Sequence, residues 1–270
     1  MFISLIRGAL ALGLSLVVSH GTLHAVEIIA HRGASFDAPE NTLAAMKLGW
    51  TQDADAVEID LWLSKDGKLI VFHDKDTKRF ETNARPITNL TLAEARQLDV
   101  GAWKGEAFKG EFIPTLESIL ATVPKGKRIV LEIKDGPHTI PEFTRVLRAS
   151  GLAEQQLVVI SFNFATLAAS KKDWPKVDHY FLMDYQQNAK TEKFPELAPL
   201  IQRAKKAGFE GLNLSSKWPI TKEFVSEVKA AGLKMYVWTV DDAETARALK
   251  EAGVDGITTN KPQWLREQLK

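Results

Sequence analysis

Short apolar runs alternate with helical patterns along most of the chain. Most of these runs are continuously apolar, as expected of parallel strands that are buried on both faces. They predict eight strands, at Glu27–Ala30, Ala56–Asp60, Ile129–Lys134, Leu157–Ser161, His179–Met183, Gly211–Leu214, Lys234–Thr239 and Gly256–Thr259. The helical patterns lie at Asn41–Gln52, Thr115–Thr122, Pro141–Ala149, Ala165–Lys171, Pro195–Lys206, Lys222–Ala231 and Ala243–Ala252, and Pro262–Lys270 completes the series.

The regular alternation of strand and helix predicts the fold class. Eight strands, each followed by a helix, favour a (β/α)8 TIM barrel over residues 26–270, and an open doubly wound sheet is the alternative. Gly151, Gly208, Gly232 and Gly253 directly follow helical patterns, where a left-handed cap is expected. The pattern is therefore that of one α/β domain.

One segment departs from the alternation. Too few residues separate the run that ends at Leu63 from the run that begins at Leu69 for a helical crossover, so these two strands must be antiparallel. Asp66-Gly67 predicts a two-residue turn. Counting back from this turn places Asp60 opposite His73, and the period of two places Glu58 on the same face as Asp60. We therefore expect strand 2 to continue into a β-hairpin that brings His73 to the barrel mouth.

A long stretch over residues 75–112 follows His73 before the next barrel element. It contains a weak helical pattern at Leu92–Leu98 and several aromatic residues, including Trp103 and Phe108. Long insertions of this kind are often functional. We expect a small insertion that covers the barrel mouth.

Composition narrows the class of protein. The chain has 270 residues, of which 45% are hydrophobic and 26% are charged, as is ordinary for a folded protein. The 35 basic and 34 acidic residues nearly balance, so no overall positive field favours nucleic acid as a partner. The absence of cysteine excludes disulfides, thiolate metal sites and cysteine nucleophiles. Carboxylate-based metal chemistry remains open.

The first 25 residues have the pattern of a secretory signal peptide. Arg7 precedes the apolar run Gly8–Val18, which is too short for a bilayer span of about 20 residues. Small and polar residues follow as far as Ala25, where cleavage is expected. The alternatives are an uncleaved anchor and a misassigned start of the sequence. The pattern predicts an exported protein, periplasmic or secreted, that has no stable membrane insertion after cleavage.

Charged residues at the ends of barrel strands form the candidate site. His31 and Arg32 follow the first strand, and Glu58 and Asp60 share one face of the second. Glu132 and Lys134 repeat that spacing on the next barrel strand. Unpaired carboxylates inside a barrel are costly, so they indicate either buried salt bridges or a hard divalent cation.

Together these residue types favour one reaction class. A pair of histidines, His31 and His73, suits acid–base chemistry near neutral pH. Arg32 and Lys134 supply cations for an anionic substrate group. Metal, imidazoles and cations describe phosphodiester cleavage better than glycoside hydrolysis, which needs only two carboxylates.

The sequence resembles the glycerophosphodiester phosphodiesterase family from about Ile28 to Pro262. The motifs that carry the resemblance are HRGASFDAPENT (31–42), VEIDLWLSKDGKLIVFHD (57–74), LEIK (131–134), SFN (161–163), VWTVDD (237–242) and VDGITTN (254–260). One position departs from it, because relatives often carry an acidic residue where this chain has Asn260.

The resemblance implies a TIM barrel and a set of site residues. It implies metal ligands at Glu58, Asp60 and Glu132 for Mg²⁺ or Ca²⁺, and acid–base roles for His31 and His73. It also implies substrate contacts from Arg32, Lys134 and Trp238. Trp238 could equally be a packing residue. Phe162 could contact substrate or pack, with packing slightly favoured, and Asn41 is expected to hold the first loop or reach the metal.

The implied reaction is hydrolysis of a glycerophosphodiester, a small-molecule substrate, to sn-glycerol 3-phosphate and an alcohol. Attack by water and attack by a neighbouring glycerol hydroxyl both remain open. The alternatives are a related phosphodiesterase acting on lysophospholipids or another polyol phosphodiester, with Trp103 and Phe108 meeting an acyl chain, a glycoside hydrolase, or a non-catalytic barrel.

Overall fold

The computed structural model describes residues 25–189 and 191–270. The signal peptide predicted for residues 1–25 lies, apart from Ala25, outside them. No helix of the described ranges is long and apolar enough to cross a membrane.

The described residues form nine strands, eight of which close into a parallel barrel. Neighbours around the barrel follow the order β1-β2-β4-β5-β6-β7-β8-β9, and β9 pairs with β1. β3 is antiparallel to β2 and stands outside the barrel. The strands are β1 (Glu27–Ala30), β2 (Ala56–Leu63), β3 (Leu69–Val71), β4 (Arg128–Ile133), β5 (Leu157–Ser161), β6 (Asp178–Met183), β7 (Gly211–Ser215), β8 (Lys234–Trp238) and β9 (Gly256–Thr259).

Helices follow the barrel strands, and several begin at a side-chain cap. Thr42, Asn163 and Asp242 each accept a hydrogen bond from a backbone N–H of the first turn. The helices are α1 (Leu43–Thr51), α2 (Leu92–Ala95), α3 (Leu116–Leu120), α4 (Ile140–Ser150), α5 (Phe164–Asp173), α6 (Leu197–Lys206), α7 (Lys222–Ala230), α8 (Ala243–Ala252) and α9 (Pro262–Gln268). The TIM barrel is confirmed, and most element ends agree with the sequence prediction within two residues.

Apolar side chains fill two layers of the barrel. The inner layer includes Ile29, Val130, Val158 and Ile160, and a larger outer layer lies between the strands and the helices. Because each strand contributes to both layers, it reads as continuously apolar in sequence.

Charged residues close the N-terminal end of the barrel. Arg128 pairs with Glu27 (Nη1–Oε2 2.9 Å) and with Asp178 (Nη2–Oδ2 2.8 Å). The rings of Tyr180 and Tyr236 stack above them at 4.6 Å between centroids. This network forms the floor beneath the inner layer.

The register predicted for the β2–β3 hairpin is wrong by one residue. Leu63 lies opposite Leu69, so the loop has three residues, Lys65-Asp66-Gly67. A two-residue turn of the predicted type needs positive φ at both Asp66 and Gly67, but only Gly67 has it (φ +74°). The Asp66 carboxylate instead accepts hydrogen bonds from the Ser64 hydroxyl and the Leu92 N–H.

This shift changes the partner of Asp60. The Phe72 N–H, rather than that of His73, donates to the Asp60 carbonyl oxygen at 3.0 Å. His73 still reaches the barrel mouth because β3 has already ended at Val71, where the ladder no longer dictates which way a side chain points.

The insertion over residues 75–112 has an apolar core of its own, which includes Ile87, Leu90 and Val100. It packs beside the hairpin and touches the first strand–helix loop through Lys104, whose Nζ donates to the Ser35 carbonyl oxygen at 2.8 Å. The expectation that it covers the mouth is wrong, because no residue from 75 to 112 lines the cavity described below.

Candidate active site

A cavity of about 410 Å³ opens at the C-terminal ends of the barrel strands, where TIM-barrel enzymes bind their substrates. Two sets of side chains line it. The first, the charged arc, consists of His31, Arg32, Glu58, His73, Glu132 and Lys134. The second, the aromatic arc, consists of Ile160, Phe162, Leu182, Asp184, Gln186, Asn213, Trp238 and Thr258.

Three carboxylates converge in the charged arc. Asp60 on β2 lies directly opposite Glu132 on β4, and Glu58 points to the same side two residues earlier. One oxygen from each lies within 4.8 Å of the others, and all three side chains are buried. The predicted shared face of β2 and β4 is therefore present, and Asp60 lies just beneath the cavity wall.

Burial and mutual repulsion raise the pKa of two of these acids. Burial, then the charges of Asp60 and Glu132, raise the pKa of Glu58 well above its ordinary value. The same two causes, burial and Asp60, raise the pKa of Glu132 to about 7. Burial also raises the pKa of Asp60, but Lys134 and Arg32 outweigh it and hold the pKa well below normal. With all three acids ionised, the cluster would carry more negative charge than Arg32 and Lys134 neutralise, which is why the pKa of two of them is raised.

The two cations of the arc both pair with Asp60. Arg32 Nε lies 3.3 Å from one carboxylate oxygen, and Lys134 Nζ lies 3.0 Å from the other. Lys134 Nζ also lies 2.8 Å from Glu132 Oε1. Glu58 has no side-chain cation among these pairs. Three hard oxygen donors with an excess of negative charge fit a divalent cation, which the family resemblance also implies.

The first strand–helix loop holds the carboxylates in place. Arg32 and Asn41 both have positive φ (55° and 59°), which is costly outside glycine and is typical of functional loops. The Arg32 N–H donates to Glu58 Oε2 at 3.0 Å. Gly33 lets this loop approach α1, because a Cβ there would lie 2.5 Å from the Ala45 carbonyl carbon.

Asn41 contacts Asp60 twice. Its Nδ2 donates to Asp60 Oδ2 at 2.7 Å, and its Oδ1 accepts from the Asp60 N–H at 3.3 Å. The sequence allowed either a loop role or a metal contact. The structure gives it the loop position and a role in orienting a carboxylate.

His31 has a defined tautomer. Asn260 Nδ2 donates to Asp241 Oδ2 at 2.5 Å, so the Asn260 oxygen must face the other way. That oxygen accepts a hydrogen bond from His31 Nδ1 at 2.8 Å. His31 therefore carries its proton on Nδ1 and leaves Nε2 free as a base. Burial, then the charge of Arg32, lowers its pKa to about 4.

His73 has a charged partner instead. Its Nδ1 lies 2.8 Å from Asp74 Oδ1, and Asp74 is held in turn by Arg79 Nε at 2.5 Å. Burial lowers the pKa of His73 and the charges of Arg32 and Lys134 add to that shift, while the charge of Asp60 and the hydrogen bond to Asp74 oppose it. The two histidines thus differ in the partner of Nδ1, a neutral amide for His31 and a carboxylate for His73.

The aromatic arc lies across the cavity from these groups. Phe162 and Trp238 meet edge to face, with ring centroids 5.6 Å apart. Phe162 packs against Trp238, but it also lines the cavity and is 45% exposed, so both roles that the sequence allowed, packing and substrate contact, are open to it. Trp103 and Phe108, on which the lysophospholipid alternative depended, lie in the insertion and do not line the cavity.

All eight predicted site residues come together at this mouth. Seven line the cavity and Asp60 supports it. Sequence reasoning missed Asp184 and Asn213. Asp184 directly follows β6, and a polar residue at the end of a barrel strand was a usable signal. Asn213 lies within β7 between two leucines, where an isolated amide gave less warning.

Known proteins resemble this chain over nearly its whole described length. Residues 31–264 match the glycerophosphoryl diester phosphodiesterase family. A glycerophosphodiester phosphodiesterase from Caldanaerobacter subterraneus is 33% identical over 247 residues, which cover 88% of this chain and 95% of the relative. One from Bacillus subtilis is 30% identical over 253 residues, covering 87% of this chain and 83% of the relative.

The fold of this chain also resembles that of solved phosphodiesterase structures. A phosphodiesterase from Oleispira antarctica, in complex with the product sn-glycerol-3-phosphate, superimposes with a TM-score of 0.80 at 31% identity. The similarity covers 90% of this chain and 96% of that one.

Proposed function

The chain belongs to the glycerophosphoryl diester phosphodiesterase family of phosphoric diester hydrolases, and we propose that it hydrolyses glycerophosphodiesters to sn-glycerol 3-phosphate and an alcohol. In this proposal the reaction depends on a divalent cation and on His31 and His73. The observation that carries it is the buried triad Glu58, Asp60 and Glu132, surrounded in one cavity by two cations and two histidines.

Glu58, Asp60 and Glu132 would hold the cation, Mg²⁺ or Ca²⁺. When bound, it would supply Lewis-acid polarisation of the phosphate. Arg32 and Lys134 line the cavity beside the triad, so their charges can stabilise negative charge that grows on the phosphate oxygens.

The partners of the two histidines support a different role for each. His31 Nε2 is unprotonated, so it accepts the proton of the attacking oxygen. His73 has the Asp74 carboxylate at Nδ1, which opposes the lowering of its pKa by burial, so in this proposal His73 donates a proton to the departing alcohol oxygen. The bond between phosphorus and the attacking oxygen forms as the bond between phosphorus and the alcohol oxygen breaks. His31 takes one proton from the attacking oxygen, and His73 gives one proton to the departing alcohol.

A coupled assay for glycerol 3-phosphate tests the reaction. Purified protein is given glycerophosphocholine and glycerophosphoethanolamine, with chelator and then with Mg²⁺ or Ca²⁺ restored. We expect metal-restored release of glycerol 3-phosphate. Absence of release from both diesters with either ion would overturn the proposal.

A change of leaving group tests the two histidine roles. A glycerophosphodiester of p-nitrophenol releases an alcohol that leaves as an anion without a proton. His73→Ala should then recover most of its lost activity on this substrate, whereas His31→Ala should not. The reverse pattern would exchange the two roles.

Export of the protein is a separate part of the proposal. It is supported by the charged, apolar and small-residue pattern of residues 1–25. Intact-mass measurement of protein collected outside the cytoplasm should give a chain that begins at Val26. A chain that retains residues 1–25 would contradict it.

A further inference from the structure

The aromatic arc takes no part in the acid–base or charge-stabilising chemistry proposed above. It nevertheless forms half of the cavity, with residues on or directly after β5, β6, β7, β8 and β9. A diester presents two alcohol groups on opposite sides of its phosphate. With the phosphate at Arg32 and Lys134, one of those groups must face the aromatic arc.

Two rings form a right-angled corner in this arc. The ring planes of Phe162 and Trp238 meet at 88°. The Trp238 indole N–H donates to the Asn213 carbonyl oxygen at 3.2 Å, which fixes the ring by its edge and leaves its faces for other contacts. Perpendicular aromatic faces attract cations, above all alkylated ammonium groups that water solvates weakly.

A carboxylate completes the corner. Asp184 lines the same arc, and its Oδ1 accepts the Tyr185 N–H at 2.8 Å. Although burial raises the pKa of Asp184, hydrogen bonds from Ser215 and Tyr185 and the charge of Lys217 leave it below the ordinary value. Asp184 Oδ2 accepts a hydrogen bond from the exposed Gln186 side chain and lies 3.5 Å from Lys217 Nζ, which is also exposed, so its one cationic partner is weak and a ligand cation can displace it.

An unpaired amide oxygen lies in the same wall. Asn213 Oδ1 is buried and accepts no hydrogen bond from the described part of the chain. Buried acceptors in native proteins are nearly always paired, and the exceptions are often at sites that bind a ligand. This observation independently marks the aromatic arc as a place where a substrate group belongs.

We propose that Phe162, Trp238 and Asp184 form a subsite for an ammonium group on the leaving alcohol. The enzyme would thus prefer diesters of cationic amino alcohols, such as choline and ethanolamine, to diesters of neutral polyols. This inference rests on the proposed hydrolase function and adds the class of leaving group.

A comparison of substrates distinguishes an effect on this subsite from an effect on the acid–base and metal-dependent steps. We compare kcat/KM for glycerophosphocholine, glycerophosphoethanolamine and glycerophosphoglycerol in wild type and Asp184→Asn. We expect the choline-to-glycerol ratio to fall about tenfold in the variant, through KM, with little change for glycerophosphoglycerol. Phe162→Ala, at an exposed position that tolerates truncation, should lower the same ratio.

Two further variants sharpen the test. Lys217→Met removes the competing cation and should raise the choline-to-glycerol ratio. Asp135→Asn changes a carboxylate at the end of β4 that does not line the cavity, so it should leave the ratio unchanged. Tetramethylammonium should inhibit wild type competitively and Asp184→Asn much less.

Each failure has a distinct signature. An unchanged ratio in Asp184→Asn, or an equal loss on all three diesters, would overturn the subsite and place the glycerol group in the aromatic arc instead. Absence of glycerol 3-phosphate from all three diesters with the wild-type protein would contradict the hydrolase function itself.

Discussion

The two arcs of the cavity differ in how their polar groups are satisfied. In the charged arc almost every group is tied to another part of the chain: Asp60 alone is bound by Asn41, Arg32 and Lys134. In the aromatic arc Asn213 Oδ1 has no described partner and Phe162 is half exposed. The charged arc is thus organised before substrate arrives, whereas the aromatic arc is left open for it. Preorganised charge serves reactions, and open surface serves recognition.

The substitution with the largest expected effect is Glu58→Gln in the charged arc. We expect activity to fall about 10³-fold, because one of the three proposed metal ligands loses its charge. The metal-free protein should unfold at the same or a higher temperature, because the change removes a buried carboxylate that burial and two neighbouring acids destabilise. Activity assays and thermal unfolding with and without Mg²⁺ provide the readout.

Glu267→Gln, on the exposed surface of α9, is the matched control and should change neither quantity. Near-normal turnover in Glu58→Gln, or a metal-induced rise in unfolding temperature equal to that of wild type, would contradict the metal assignment.

The pH dependence of stability compares a histidine in the charged arc with one behind the aromatic arc. Burial lowers the pKa of both His31 and His179 to about 4, from an ordinary 6.5. The folded state therefore binds these protons less readily than the unfolded state. The stability that each histidine contributes is complete above pH 6.5 and is lost as the pH falls towards 4. Each should account for a loss of about 2 kcal/mol between pH 7 and pH 5.

Urea unfolding at the two pH values measures this loss. His179→Asn should reduce the difference between pH 7 and pH 5 without affecting the acid–base step, and His31→Asn should reduce it while abolishing turnover. If the His179 variant keeps the full wild-type difference, its imidazole is not neutral in the folded protein.

The smallest expected effect is at Asn213. Replacing it with Leu removes a buried acceptor that has no described partner, so the free energy of unfolding should rise by about 1 kcal/mol. KM should rise as well, because a polar group of the arc is lost. Asn41→Leu is the opposing control: it breaks both bonds to Asp60 and should destabilise the fold. Denaturant unfolding and steady-state kinetics on both variants measure these changes. Destabilisation of Asn213→Leu would mean that the Asn213 amide oxygen is already paired.

The barrel was predictable because each strand is buried on both faces and each helix ends at a recognisable residue. Gly151 and Gly253, for example, adopt the left-handed caps that the sequence predicts (φ 70° and 90°). The hairpin register was not predictable from Asp66-Gly67 alone. A side-chain bond from Ser64 and a backbone bond from Leu92, far along the chain, select a longer loop. Local turn preferences therefore yielded to a tertiary contact.

The same distinction applies to the site. Glu58, Asp60, Glu132 and Lys134 follow from a period of two on parallel strands, and strand register brings them together. The tautomer of His31 depends on Asn260 and Asp241, which lie more than 200 residues away in sequence. The position of Asp184 directly after β6 was a usable signal. The role proposed for it could not be predicted, because that role depends on the rings of Phe162 and Trp238 and no spacing rule relates those positions to Asp184.

The ion-paired floor around Arg128 has a kinetic consequence. It closes the end of the barrel opposite the mouth, so both products must depart through the opening by which the diester arrived. If the phosphate lies at Arg32 and Lys134 and the alcohol at the aromatic corner, as proposed above, the alcohol lies nearer the opening, because the corner is the more exposed of the two. We then expect the alcohol to depart first and the phosphate monoester last. The monoester should consequently be the product that competes with the next substrate for the free enzyme.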